Sequence, residues 1–226
     1  MICQAPIAAM SSTFLRPQGH FLPVKERFSG PRREHGKQAR ENRHVRDVEK
    51  PEKSAPSLDE DELMALIGQH EFPLVLILDC VQDPHNLGAI LRTADAAGVH
   101  VVVAPKDKAV GITETVRRIS VGAADHVPFA QVTNLARTME KLKDAGLWIV
   151  GTSDHAKSKS IYDLDLRGPL ALVMGAEEKG MRRLTEENCD FLASIPMAGK
   201  VECLNVSVAT GVCLFEAVRQ RAVSPT

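Results

Sequence analysis

Short apolar runs alternate with amphipathic stretches through the last three quarters of the chain. LVLILD (74–79) is a continuous apolar run, as expected for a strand covered on both faces. HVVVAP (100–105), LWIVGTS (147–153), the run 170–174 and the run 191–195 read as further strands. Between them the period changes. Leu87, Ile90, Leu91 and Ala94 follow the i, i+3, i+4, i+7 spacing of a helix that begins near Asn86 and stops at Gly98. Leu135, Met139 and Leu142 give an amphipathic helix over 134–145, ended by Gly146. A long apolar helix spans 204–221, and shorter ones lie near 114–120 and 185–189. Ser57 with Glu60 fits the S-x-x-E capping box and opens a first helix carrying Leu58, Leu63, Leu66 and Ile67. HVPF (126–129) reads as a short strand, and DHAKSKSIYDLDLRG (154–168) as a polar connection. The recurring strand, helix, strand order predicts one α/β domain from residue 57 onward, built on a largely parallel sheet.

Residues 1–56 show neither period and read as a flexible basic arm. Between Lys25 and Lys53, ten Lys and Arg face six Asp and Glu, although the 226-residue chain carries a net charge of −1. Such an arm is either a solvated tail or an attractor of polyanions such as RNA. The first residues lack the charged start and continuous apolar run of a secretory signal, and no apolar run reaches the ~20 residues of a membrane span. The five cysteines form no CxxC pair and no His-spaced zinc pattern, which points to reduced thiols in the cytoplasm and to no metal.

Three blocks carry candidate chemistry. Asn86 stands where a helix begins, either as a cap or beside an anion. Arg92 interrupts a helix of Leu, Ile and Ala, either as a surface charge paired with Asp95 or as a clamp for a phosphate or carboxylate. GAEEKG (175–180) follows a strand directly. Gly175 permits close backbone approach to a ligand, and Glu177 projects from the turn; ordinary turn chemistry accounts for the same residues. In IPMAGKVECLNVSVATG (195–211), Asn205, Ser207 and Thr210 sit among apolar neighbours at a helix start. They either cap backbone groups or bind a ligand, and three are more than capping needs. Nothing in the spacing supports metal catalysis, a Ser–His–Asp hydrolase or a nicotinamide site.

Taken together, DPHNLGAILRTADAAGV, LALVMGAEEKGM and IPMAGKVECLNVSVATGVCLFEAVRQR strongly resemble the three motifs of the SpoU/TrmH family of RNA ribose 2′-O-methyltransferases, in the SPOUT superfamily. KDKAV, VTNLARTM and GLWIVGTS are similar to the branch that methylates a guanosine of 23S ribosomal RNA. The resemblance covers about residues 57–222. It implies an α/β fold with a C-terminal trefoil knot, S-adenosylmethionine held in the knot loops, RNA as substrate and a homodimer packed through the C-terminal helix. It places the catalytic Arg on Arg92, with Asn86 ahead of it, the acid of the second motif on Glu177 and the Asn of the third on Asn205. The cofactor loops fall around Thr152, Gly175 and the stretch holding Ile195, Met197 and Leu204. Two features depart from the pattern: Cys203 stands where family members carry Ser, and a basic arm stands where the branch has a folded RNA-binding domain. A tRNA substrate, or a non-catalytic RNA-binding dimer of the same fold, are the alternatives.

Overall fold

The computed structural model describes residues 57–155, 158–176 and 180–223. Eight strands form one sheet: β1 (Ser57–Leu58), β2 (Leu74–Leu78), β3 (Val101–Pro105), β4 (Phe129–Val132), β5 (Trp148–Thr152), β6 (Lys159–Ser160), β7 (Leu170–Met174) and β8 (Phe191–Ser194). Their order across the sheet is β1-β4-β3-β2-β7-β5-β8-β6, and every pairing is parallel. β2 and β7, at the centre, are buried at all five positions. The apolar runs therefore lack polar alternation because helices cover both faces of the sheet. Leu74, Leu76 and Leu78 point into one core with Leu87, Ile90, Leu91 and Leu214. Val75 and Ile77 point into the other with Leu63, Leu135, Met139 and Leu142.

The helices are α1 (Glu60–Ile67), α2 (Pro84–Ala96), α3 (Glu114–Ser120), α4 (Ala123–His126), α5 (Leu135–Asp144), α6 (Arg183–Glu187) and α7 (Val206–Ala222). Several ends differ from the sequence-based expectation. The capping box of α1 is Asp59 with Glu62, not Ser57 with Glu60. Pairing of Ser57 with Phe129 and of Leu58 with Ala130 keeps those two residues extended. α2 begins at Pro84, capped by Asp83, so Asn86 lies inside the first turn rather than at the cap; a proline suits this start because its φ is preset and no N–H is wasted. The segment 126–129 divides between the end of α4 and the start of β4. α6 starts two residues earlier than expected, and the polar connection contributes β6 and a 3-10 turn at Ile161–Asp163.

The last turn of α7 is tied to the N-terminal end of the sheet. The Arg221 guanidinium donates to the carbonyls of Leu166, Phe72, Pro73 and Gly168, and Gln220 bonds both Leu166 N and Leu164 O. Nearby, the His100 and His70 rings lie with centroids 3.9 Å apart, and the Leu74 N–H donates to His100 Nδ1 at 2.9 Å. Burial, with His70 beside it, pulls the His100 imidazole below its ordinary value of 6.5. A base whose folded pKa is depressed stabilises the fold fully above its unfolded value, and that contribution is lost as pH falls from there through the folded value. The melting temperature of the wild type should therefore fall from pH 7.5 to pH 5.5 by more than that of His100→Asn, whose carbonyl oxygen accepts the Leu74 N–H at both pH values. Equal falls in thermal melts would remove His100 as the source.

Candidate active site

The C-terminal ends of β2, β5, β7 and β8 lie side by side, the usual place for a ligand in a parallel sheet. Two cavities open there. One, of about 430 Å³, is lined by Thr152, Ser153, Asp154 and His155 after β5, by Ile195 and Met197 after β8, and by Cys203, Leu204 and Ala209 at the start of α7. The other, of about 570 Å³, is lined by Cys80, Gln82 and Asp83 between β2 and α2, by Asn86 in the first turn of α2, by Lys108, and by Ala176 and Arg182. Gly180 and Met181 line both and form a shared wall.

Four of the residues expected to hold a cofactor (Thr152, Ile195, Met197 and Leu204) line the smaller cavity together. Its lining fits an adenosyl group carrying an amino acid. Ile195, Leu204, Ala193 and Ala209 offer apolar surface for a purine, while Ser153, Asp154 and Glu202 supply polar groups for ribose hydroxyls and an ammonium. The Thr152 hydroxyl is spent on the Val173 carbonyl at 3.1 Å, which joins the end of β5 to β7. Cys203 is exposed on this wall. Burial pushes the thiols of Cys189 and Cys213 up to about 12, which leaves both as unreactive packing groups. No disulfide links the four cysteines of the described residues.

Gly175 is placed by packing. A Cβ there would lie 2.4 Å from both Gly180 C and Met181 N. The absent side chain lets Ala176 and Gly180 close an antiparallel bridge through two backbone bonds. Glu177, inside that loop, lies outside the described residues.

Asn86 and Asn205 are 119 positions apart, and they meet: Asn205 Nδ2 donates to Asn86 Oδ1 at 3.0 Å. Asn205 is also the cap of α7, its Oδ1 accepting from Ser207 N and Ser207 Oγ. Thr210, the third polar residue of that stretch, is buried and donates to the Val206 carbonyl. Asn86 lines the larger cavity, and the neighbours of Asn205 line one each: Leu204 the smaller and Val206 the larger. Arg92 is exposed on α2, lines neither cavity, and forms no ion pair with Asp95 or any other described residue.

The chain of residues 73–215 matches the family model described as the SpoU rRNA Methylase family. This protein belongs to that family. Its relatives include the 23S rRNA (guanosine-2′-O-)-methyltransferase RlmB of Ralstonia nicotianae, 59% identical over 81% of this chain and 73% of that protein. RlmB of Pseudomonas aeruginosa is 63% identical over 72% and 65% respectively, so the chain spans about two thirds to three quarters of these relatives. Among solved structures, the SpoU methyltransferase AviRb of Streptomyces viridochromogenes in complex with AdoMet is similar, with TM-score 0.65 and 31% identity over 75% of this chain and 67% of that one. The TrmH/SpoU tRNA modifying enzyme of A. aeolicus has TM-score 0.62 and 34% identity over 72% and 84%. The family thus accounts for a parallel sheet with cavities at its C-terminal edge.

One feature of this SpoU-family site had no motif to announce it. Asp79, fully buried at the end of β2, accepts from Arg182 Nε at 2.7 Å and from the Arg182 backbone N–H at 2.8 Å. The pair, 103 positions apart, anchors the end of the 175–182 loop and hence the wall between the cavities. The sequence signal was a carboxylate closing an otherwise apolar strand, a placement that demands a partner. Cys80 and Lys108, which line the larger cavity, hold left-handed backbone at φ 66° and 59°. Such conformations cost a non-glycine residue and cluster at functional sites. Among the described residues, no group of acids, His and Cys could hold a metal ion, and no helix is long and apolar enough to cross a membrane.

Proposed function

We propose that this chain methylates the ribose 2′-hydroxyl of a guanosine in 23S ribosomal RNA, with S-adenosylmethionine as donor. The observation that carries the reading is the Asn86–Asn205 hydrogen bond, placed where a cofactor-sized cavity and a second polar cavity share one wall. The RlmB relatives, at about 60% identity, supply the substrate, and the AdoMet complex of AviRb supports the cofactor.

Thr152, Ile195, Met197 and Leu204 would hold the cofactor, with Gly175 lining neither cavity but packed behind the Gly180–Met181 wall. When bound, it supplies a methyl group already activated on positive sulfur. The protein's task is then to place the ribose oxygen in line and to ease loss of its proton. Asn205 fixes Asn86 on the nucleotide side, and both would orient the sugar. Arg92 and Glu177 complete the set that the family motifs assign. A guanidinium stays protonated at ordinary pH, so Arg92 would hold the substrate phosphate and polarise the hydroxyl, with the proton leaving by another route. The reading includes the C-terminal trefoil knot and a homodimer. In support of the dimer, α7 exposes Val208 and Phe215 at 52% and 48%, an apolar face suited to a second copy. It also includes a cytoplasmic location, where rRNA is found and thiols stay reduced.

The test is incubation with tritiated cofactor and unmodified 23S rRNA or tRNA. Label is expected in 23S rRNA, at a guanosine whose 3′ phosphodiester resists alkali. Label confined to tRNA would move the substrate, and label in neither RNA, despite cofactor binding, would leave a non-catalytic RNA-binding dimer. Arg92→Ala should lower the rate about 100-fold, with cofactor affinity by calorimetry nearly unchanged. Full activity in that variant would remove Arg92 from the reaction.

A further inference from the structure

Arg182 lines the larger cavity, and only part of its guanidinium is committed to the protein. Its Nε is tied to buried Asp79, and its backbone N–H reaches the other oxygen of the same carboxylate. The side chain is 40% exposed, against 0% for Asp79. Nη1 and Nη2 make no hydrogen bond with a described residue, so their four N–H groups, held in one plane, remain for the cavity. The anchor bears on how ready the group is. An unanchored Arg loses rotamer freedom when it binds, whereas Asp79 fixes this one beforehand from inside the core. A second cation lies on the same cavity. Lys108 is exposed, held at φ 59°, and paired with no described carboxylate. The acid on this lining, Asp83, has one oxygen engaged as the cap of α2 by the His85 N–H.

We infer that Arg182 presents its Nη edge to a phosphate of the RNA backbone at the target nucleotide, with Lys108 as a second cationic contact and Asp79 as the positioning residue. A planar fork matches two phosphate oxygens, which a neutral lining would not do, and desolvated Arg–phosphate pairs are among the stronger charge-assisted contacts. The same Asp79–Arg182 link fixes the Gly180–Met181 wall, so the phosphate would be registered against the cofactor cavity. This inference rests on the methyltransferase reading of the site.

The experiment measures binding of an unmodified 23S rRNA fragment by fluorescence anisotropy across a salt series, beside binding of S-adenosylmethionine by calorimetry, on the full chain. Arg182→Ala should weaken RNA binding about 10-fold or more and flatten the plot of log affinity against log salt by roughly 0.7–0.9, the loss of one phosphate contact. Arg182→Lys should restore charge and slope but not full affinity, because an ammonium lacks the fork. Removing Arg182 alone strands a buried carboxylate, so the uncharged double variant Asp79→Asn with Arg182→Gln is measured too. The amide oxygen introduced by Asp79→Asn still accepts the backbone N–H of residue 182, which keeps the wall anchored, so cofactor should bind within about threefold of wild type while the RNA defect and flattened slope match those of Arg182→Ala. Unchanged RNA affinity and slope in Arg182→Ala would overturn the inference. Parallel loss of cofactor and RNA binding in the double variant would also overturn it, making the pair a scaffold. A wild type that binds RNA but neither binds the cofactor nor methylates would instead sink the methyltransferase reading.

Discussion

Asn205→Asp should keep the fold and lose the reaction. The aspartate retains the oxygen that accepts from Ser207 N, and at a helix N-terminus its charge is favourable. Its second oxygen would replace the Nδ2 donor and face Asn86 Oδ1, now 3.0 Å away, so the bond becomes a repulsion. The Asn86 amide is then pushed away or turned over to donate, and either change alters what it presents to the larger cavity. Displacement of about 1 Å in a positioned group costs about 100-fold in rate. We expect the turnover number for the 23S fragment to fall by about that factor, while the melting temperature stays within a few degrees and cofactor affinity within about threefold. Asn205→Ala removes cap and contact together, and should add a stability loss of about 1 kcal/mol. An Asp variant with wild-type turnover would show that the bond between the two asparagines has no part in the chemistry.

Gly175→Ala should damage both cavities at once. Its Cβ would meet the Gly180 carbonyl carbon and Met181 nitrogen at 2.4 Å and the Gly180 oxygen at 2.7 Å, all of them backbone. A side chain can rotate away from such an intrusion; a backbone closed by the Ala176–Gly180 bridge and held by Arg182 on Asp79 cannot. Overpacking of this kind costs about 1–3 kcal/mol, or roughly 3–10 °C for a domain of this size. Because Gly180 and Met181 form the shared wall, cofactor affinity should drop by at least about 10-fold, a loss of ~1.4 kcal/mol. Gly151→Ala is the informative comparison. Its Cβ would approach Cys189 Sγ at 2.6 Å and Met181 Cε at 2.7 Å, and the flexible methionine end can move. It should be the milder of the two in both thermal melts and cofactor titration. Near-wild-type behaviour of Gly175→Ala, or greater damage from Gly151→Ala, would contradict this account of the loop.

Local chemistry made much of the domain readable. Apolar runs flanked by Gly and Pro marked β2, β3, β5 and β7 almost to the residue, and α3 at 114–120 agreed fully. Those signals are short-range, because burial on both faces writes itself as an unbroken apolar run. The motif blocks went further, for they held the loops that supply Thr152, Ile195, Met197 and Leu204 to one cavity. Where two local patterns competed, sequence reasoning erred. Ser57-x-x-Glu60 and Asp59-x-x-Glu62 both satisfy the capping box, and a strand pairing with residues 129–130, some 70 positions away, selects the second. β6 was missed because two residues, one exposed and one half-buried, leave no hydrophobic trace.

By itself, then, the sequence determined the strand and helix alternation, the parallel sheet and the family motifs, since each is written in neighbours within a few positions. The tertiary structure decided which polar groups meet. Asn86 touches Asn205 across 119 positions and Asp79 holds Arg182 across 103. Neither pair has a spacing to read, because each depends on how separate strand ends are brought to one edge of the sheet. It also decided that Arg182 lines the larger cavity while Arg92 lies exposed on α2 outside both. A charge written in a sequence carries no direction until packing gives it one.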